Sequence, residues 1–363
     1  MQSVEGHGAR VAESGGALLA ALSALEAALR RLHPPEIDAL RIQLVPALER
    51  LSAARDALES AAPPEELSDL YQHLGRALAL GARALQTFVE PAPRHATAVR
   101  MLQAMQLHAR AQEVLYPLRH VFLPVSAWFL EPEARARRDR LDPSDPPEGT
   151  GIQRAGDPEG RGGFHLYVPE SYSPGGSDAW PLVVALHGGF GHGRDFLWTW
   201  LREAKSRGCL LLSPTSIGST WSLQGPDRDG PALRSMIAWV RERWRVDPQR
   251  ILLTGLSDGA TFTLLTGLGK DAPFTALAPV SGVLHPASFA NGNLARASGR
   301  RIYLVHGTLD WMFPIALARE ARRVLEEAGA DVTFREIEDL SHTYPREENA
   351  RILAWLDSES RAS

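Results

Sequence analysis

The 363-residue sequence predicts an α/β fold, a mostly parallel sheet covered by helices, preceded by an all-α helical bundle. Three observations carry this expectation. From Phe164 onward, short apolar runs alternate with helix-forming stretches, the pattern of a parallel sheet with helices on both faces. Up to about residue 130, leucines and alanines recur at spacings of three and four, as in Leu18, Leu22, Leu25 and Leu29. Between these regions, residues 141–163 are rich in proline and glycine and too polar to bury a core. The expected organisation is a bundle over 1–140, a linker over 141–163 and an α/β domain over 164–363. The length agrees with two domains, since one compact core rarely extends this far.

The bundle reads as four helical segments, Val11–Leu32, Pro35–Ser60, Pro64–Phe88 and Ala92–Arg119. The breaks are His33-Pro34-Pro35, Ala62-Pro63-Pro64 and Pro91-Ala92-Pro93. Proline ends a preceding helix and is tolerated in the first turn of the next, so each break marks a helix start. Pro46, inside the second segment, is expected to kink or split it. Short connections between helices of similar length favour an antiparallel bundle. It carries little chemistry. His73, His95 and His108 show no metal-ligand spacing on one face, and Met101 with Met105 reads as a core stripe. The basic cluster Arg135, Arg137, Arg138 and Arg140 is interleaved with Glu131, Glu133 and Asp139, as on a solvated helix end.

In the second half, strands are expected at Phe164–Val168, Leu182–Leu186, Cys209–Leu212, Ile251–Thr254, Ala276–Val280, Ile302–Val305 and Val332–Ile337. Helices are expected at Asp195–Arg207, Gly230–Trp244, Ala260–Leu268, Pro314–Ala328 and Pro345–Leu356. In such sheets a ligand binds beyond the carboxyl ends of the strands.

Composition excludes several classes. Hydrophobic residues make up 44% and charged residues 23%, ordinary for a globular protein, and the net charge of −4 suggests no nucleic-acid partner. The single cysteine, Cys209, cannot form an internal disulfide and sits in an apolar run, as a packing residue would. The N-terminus lacks a cationic region followed by an apolar core, so no signal peptide is expected. Ala17–Leu29 is short and periodic for a membrane span, and the default location is the cytoplasm.

The chemistry concentrates at four strand ends. Gly255-Leu256-Ser257-Asp258-Gly259 lies on a strand-to-helix turn. Glycines two positions either side of the serine avoid a collision with the neighbouring elements, and Asp258 N–H opens the helix where an oxyanion would form. His187-Gly188-Gly189-Phe190-Gly191 follows another strand, and its glycine-rich backbone can aim N–H groups at an anion. The second oxyanion donor is expected at Gly189, with Phe190 as the alternative. His187 itself reads as a loop-bonding residue.

His306-Gly307-Thr308-Leu309-Asp310 offers a carboxylate, Asp310, to orient an imidazole, although Asp310 also suits a helix N-cap. His306 reads as a turn residue. Ser341-His342 places His342 in a loop able to reach the serine; His285 is the runner-up base or a substrate-pocket residue. Glu338 and Asp339 are alternative acids, but they lie close to His342 in sequence. Trp221 and Trp311 are expected to line the substrate site, and Trp198, Trp200, Met312 and Phe313 are further candidates for an apolar wall.

These motifs resemble those of the α/β-hydrolases, in particular the compact carboxylesterase, phospholipase-carboxylesterase and feruloyl-esterase-like branch, over residues 160–358. The resemblance is carried by His187-Gly188-Gly189, Gly255-Leu256-Ser257-Asp258-Gly259, His306-Gly307-Thr308-Leu309-Asp310 and Ser341-His342, in the order Ser, Asp, His. It does not reach the bundle. It implies acyl transfer to water, with Ser257 as nucleophile, His342 as base and Asp310 as its orienting acid, and with no metal or organic cofactor. The expected substrate is a small or aryl carboxylic ester. A peptidase or amidase of the same fold, and a partner-binding protein with an inert hydrolase domain, are the competing readings. For the bundle, the expectations are a lid, partner docking or homodimer formation.

Overall fold

The computed structural model describes residues 4–157 and 160–358. The chain divides into two compact units, 1–144 and 145–363. The first unit is helical. Its long helices are α1 (Val4–Arg30), α2 (Ile37–Glu59), α3 (Ser68–Val89) and α4 (Arg94–Leu115), followed by the short α5 (Leu123–Trp128) and α6 (Arg138–Leu141). Leu18, Leu22 and Leu25 of α1 are buried along one stripe, with Leu40, Leu44 and Leu51 of α2 and Leu74, Leu78 and Leu85 of α3. This is the burial that a spacing of three and four residues produces on a helix.

The first unit departs from the expectations in three places. Helix α2 runs unbroken through Pro46. Pro46 and Ile42 lie on the exposed face, so the Ile42 carbonyl that loses its N–H donor faces water. Helix α1 begins before the expected Val11, and the apolar stretch is longer than Ala17–Leu29: Gly6–Arg30 is long and apolar enough to cross a membrane by length and composition, though its leucine stripe is packed inside the bundle. The short α5 and α6 lie outside the four expected segments. Of the three histidines singled out, His95 is exposed and His73 half-buried, whereas His108 is buried, bonded to the Leu22 carbonyl and to Gln112.

The second unit is an eight-stranded sheet with helices. Its elements in chain order are β1 (Gly151–Ala155), β2 (Phe164–Val168), β3 (Trp180–Leu186), α7 (Gly193–Arg207), β4 (Leu210–Pro214), α8 (Asp229–Arg243) and β5 (Val246–Leu256). There follow α9 (Asp258–Gly267), β6 (Ala276–Val280), α10 (Ala287–Ala290), β7 (Arg301–Gly307), α11 (Ile315–Glu327), β8 (Asp331–Ile337) and α12 (Glu348–Asp357). The strand order is β1-β2-β4-β3-β5-β6-β7-β8. Strands β3 to β8 pair in parallel, while β2 runs antiparallel to both β1 and β4.

Strand β1 lies inside the stretch expected to be a linker. It is a partly exposed edge strand flanked by glycines, and it shows neither an apolar run nor strict alternation. The central strands are buried and almost wholly apolar because helices cover both of their faces. Leu182, Val184, Leu212, Leu253, Leu277 and Leu304 join one continuous core with Phe262, Trp221 and Ile237.

One ion pair is sealed inside this unit. Lys205 Nζ of α7 donates to Glu170 Oε2 at 2.7 Å, just after β2, with both side chains excluded from water. Tyr167 O–H donates to the same oxygen at 2.6 Å. Removing one partner of a buried pair leaves the other charge uncompensated. Glu170→Ala is therefore expected to cost about 3–5 kcal/mol of stability, and urea unfolding of wild type and variant at neutral pH measures it.

Candidate active site

Strand β5 ends at Leu256, and helix α9 begins at Asp258. Ser257 joins them at φ +56° and ψ −117°, a conformation few non-glycine residues adopt. Its N–H donates to the Val280 carbonyl, and its own carbonyl accepts from Thr261 N–H, so the turn is bonded on both sides. A Cβ on Gly259 would come within 2.5 Å of the His187 carbonyl oxygen and 2.6 Å of that of Leu186. A Cβ on Gly255 would come within 2.6 Å of the Gly259 backbone. These contacts are to backbone, which has little room to give, so both positions require glycine.

His342 lies in the loop between β8 and α12. Its Nε2 stands 2.9 Å from Ser257 Oγ and its Nδ1 2.8 Å from Asp310 Oδ2. Nδ1–H donates to the carboxylate, which leaves Nε2 to accept from the serine hydroxyl. Phe313 meets the imidazole edge-on, with ring centroids 5.3 Å apart.

Asp310 follows β7. Its Oδ1 accepts from the N–H groups of Met312 and Phe313 at 2.9 and 2.8 Å, so it caps its own loop and leaves Oδ2 to His342. The expected alternative, an N-cap for α11, does not occur: Pro314 holds that position. Burial pushes the Asp310 carboxyl upward, but the hydrogen bonds from His342 and Phe313 outweigh it and hold the group below its ordinary value.

His306 is the last buried side chain before this loop, not a turn residue. Its Nε2–H donates to the Phe313 carbonyl at 2.7 Å and lies 3.4 Å from Asp310 Oδ2. Burial lowers its pKa, so the ring is neutral beside the aspartate.

The loop after β3 lies against this turn. Of the two expected oxyanion donors on it, Phe190 is ruled out by its partner, because its N–H donates to the Ser219 carbonyl at 2.8 Å. Gly189 N–H and Asp258 N–H take no acceptor among the described residues. His187 holds the loop as the sequence suggested. Its Nδ1–H donates to the Gly188 carbonyl, and its Nε2 accepts from Ser216 N–H. Burial pushes its pKa down to about 3, so it stays neutral and keeps one tautomer.

Arg161 gave no signal in the sequence, lying in a glycine-rich stretch. Its guanidinium donates to the carbonyls of Gly191 and Ser216 and to the Ser216 hydroxyl, which ties the two loops together. Only the tertiary fold reveals this role.

The expected substrate-site residues separate. Trp221 is 3% exposed, stacks on Phe262 and donates its indole N–H to the His187 carbonyl, so it supports the loop from beneath rather than lining a pocket. Trp198 and Trp200 are buried in α7. Trp311 is 54% exposed, and Met312 and Phe190 are also open to solvent. His285 is bound locally, its Nδ1 accepting from Ala287 N–H. Among the described residues, no group of three or more His, Cys, Asp or Glu side chains converges as metal ligands do.

The Asp310 shift predicts an acid-dependent contribution to stability. A depressed carboxyl stabilises the fold above its unfolded value, roughly pH 4, and loses this as pH falls through the folded value. Relative to wild type, Asp310→Asn is expected to be less stable at neutral pH, with the gap closing in acid. Urea midpoints from about pH 7 to pH 2 test this.

Residues 232–359 match the family described as Phospholipase/Carboxylesterase. A bifunctional acetylxylan esterase/xylanase, XynS20E of Neocallimastix patriciarum, is 29% identical over 153 residues, 40% of this chain. The chain spans about a fifth of that relative's length, 21%. A thermostable esterase of known structure is 23% identical, with a TM-score of 0.47 over 57% of this chain and 62% of its own. An acetyl xylan esterase from Aspergillus awamori is 16% identical, with a TM-score of 0.47 over 57% of this chain and 99% of its own. The family match covers the stretch that carries Ser257, Asp310 and His342, and it does not extend to residues 1–231.

Proposed function

We propose that the chain is a serine carboxylic-ester hydrolase acting through an acyl-enzyme. The observation that carries this reading is the unbroken line of hydrogen bonds from Asp310 through His342 to Ser257, at 2.8 and 2.9 Å. A serine hydroxyl is a weak nucleophile, and an imidazole at this distance can take its proton as the bond to carbon forms.

In the proposed reaction, Ser257 Oγ attacks the ester carbonyl while His342 Nε2 accepts the hydroxyl proton. The carbonyl oxygen becomes an oxyanion facing the N–H groups of Asp258 and Gly189. Asp310, ionised and fixed by the amides of its own loop, stabilises the imidazolium. The tetrahedral intermediate collapses as His342 protonates the departing alcohol, leaving the acyl group on Ser257. Water then attacks the acyl carbon as His342 takes its proton, and the second tetrahedral intermediate collapses with that proton returned to Ser257 Oγ, releasing the acid.

The substrates proposed are small or aryl carboxylic esters. Exposed Trp311 and Met312 follow Asp310 in the chain, and exposed Phe190 lies beside Gly189, so apolar side chains are available on the loops that carry the site.

Ser257→Ala is expected to lower turnover of p-nitrophenyl acetate and butyrate by at least about 10³-fold and to abolish fluorophosphonate labelling. Wild type is expected to prefer these esters to p-nitrophenyl octanoate. Equal turnover by wild type and variant, without labelling, would refute the nucleophile; a preference for octanoate would refute the substrate class.

A further inference from the structure

Asp258 contributes more than a backbone N–H. Its carboxylate has no part in the acyl transfer described above, yet it is held in one place. Oδ2 accepts from Thr220 Oγ1 at 2.6 Å and stands 2.7 Å from the point that a Cβ on Gly189 would occupy. The charge is thus lodged between the loop after β3 and the loop after β4, against the glycine offered as the second oxyanion donor. A side chain at 189 would collide with it.

No cation neutralises this carboxylate among the described residues, where its hydrogen-bond partner is the Thr220 hydroxyl. The neighbouring acids differ. Asp229 accepts from Ile217 N–H, Ser222 N–H and the Ser222 hydroxyl, and Asp310 accepts from two amides and His342. Arg161 reaches the same two loops, but its guanidinium rests on the carbonyls of Gly191 and Ser216. His187, on the loop beside it, is neutral. Asp258 is only half-buried, so its field reaches the solvent side of the site.

A negative charge here opposes a developing oxyanion and gives the chemical step no benefit. Its effect on a bound ester depends on the charge of that ester. We propose that Asp258 is a specificity-determining residue, which makes the site favour esters bearing a positive charge beside the scissile bond over neutral isosteres. The proposal rests on the serine-hydrolase reading. At about 7 Å, with an effective dielectric of roughly 20 to 80, one unit charge changes the preference roughly three- to fiftyfold.

The test compares acetylcholine with its neutral isostere, 3,3-dimethylbutyl acetate. Each is scored as a competitor of p-nitrophenyl acetate hydrolysis by wild type and by Asp258→Asn, at about 20 mM and about 500 mM salt. Asparagine keeps an oxygen for Thr220. The ratio between the two esters within one protein is independent of any change in the shared catalytic machinery.

The expected result is a cationic preference of at least about threefold in wild type at low salt. It should shrink at high salt, because screening shortens the reach of an exposed charge, and approach unity in Asp258→Asn. A ratio of one in wild type, or one unchanged by the substitution, overturns the proposal. If the variant does not fold, the salt series on wild type decides: a preference insensitive to salt overturns it. Absence of p-nitrophenyl acetate turnover, with no fluorophosphonate label on Ser257, refutes the hydrolase reading and this proposal with it. Turnover without a charge preference refutes this proposal alone.

Discussion

The site depends on the left-handed turn at Ser257. A non-glycine residue at φ +56° is strained by roughly 1–3 kcal/mol. The strain persists because the surroundings over-determine it. Ser257 N–H is bonded to the next strand, its carbonyl is bonded into α9, and glycines on both sides lie against backbone. Strand β6, paired to β5 through Leu256 and Val280, ends in a similar turn at Ser281, where φ is +52° and the N–H donates to the Val305 carbonyl. Adjacent strands therefore leave the sheet the same way, and the serine is raised above their carboxyl ends.

Around that turn, charge is distributed unevenly. Asp310 is ionised and surrounded by N–H donors, so its field is directed into His342. His306 and His187 are kept neutral by burial, and each holds a loop through one N–H. A neutral imidazole has one donor and one acceptor, so it can fix a geometry without placing a positive charge near Ser257 and His342. Of the histidines at these strand ends, only His342 touches Ser257.

Much of this was legible in the sequence, for local reasons. Gly-x-Ser-x-Gly after an apolar run and before helix formers specifies a turn from steric exclusion alone. The periods of two kinds of element separate the helical unit from the α/β unit. Other features were hidden because they depend on partners far along the chain. Strand β1 is too short and mixed to show a period, and exists through pairing with β2. Phe190 could serve as a donor in sequence but not in space, since Ser219 takes its N–H. Trp221 and Trp311 look alike beside their motifs. One stacks in the core on Phe262, and the other stands in solvent.

By itself, the sequence determined the alternation of strands and helices and the elbow at Ser257, and it singled out Ser257, Asp310 and His342, which the fold brings within hydrogen-bond distance of one another. These follow from backbone sterics and hydrophobic periodicity, which act over a few residues. Tertiary structure decided which N–H groups remain free, which aromatic rings are buried, and that Arg161 and Thr220 brace the loops. It also placed the Asp258 carboxylate against Gly189 and the Thr220 hydroxyl, with no cation bonded to it among the described residues. Hydrogen-bond partners and electrostatic neighbours are set by distance in space, and the chain brings them together only when the whole sheet is assembled.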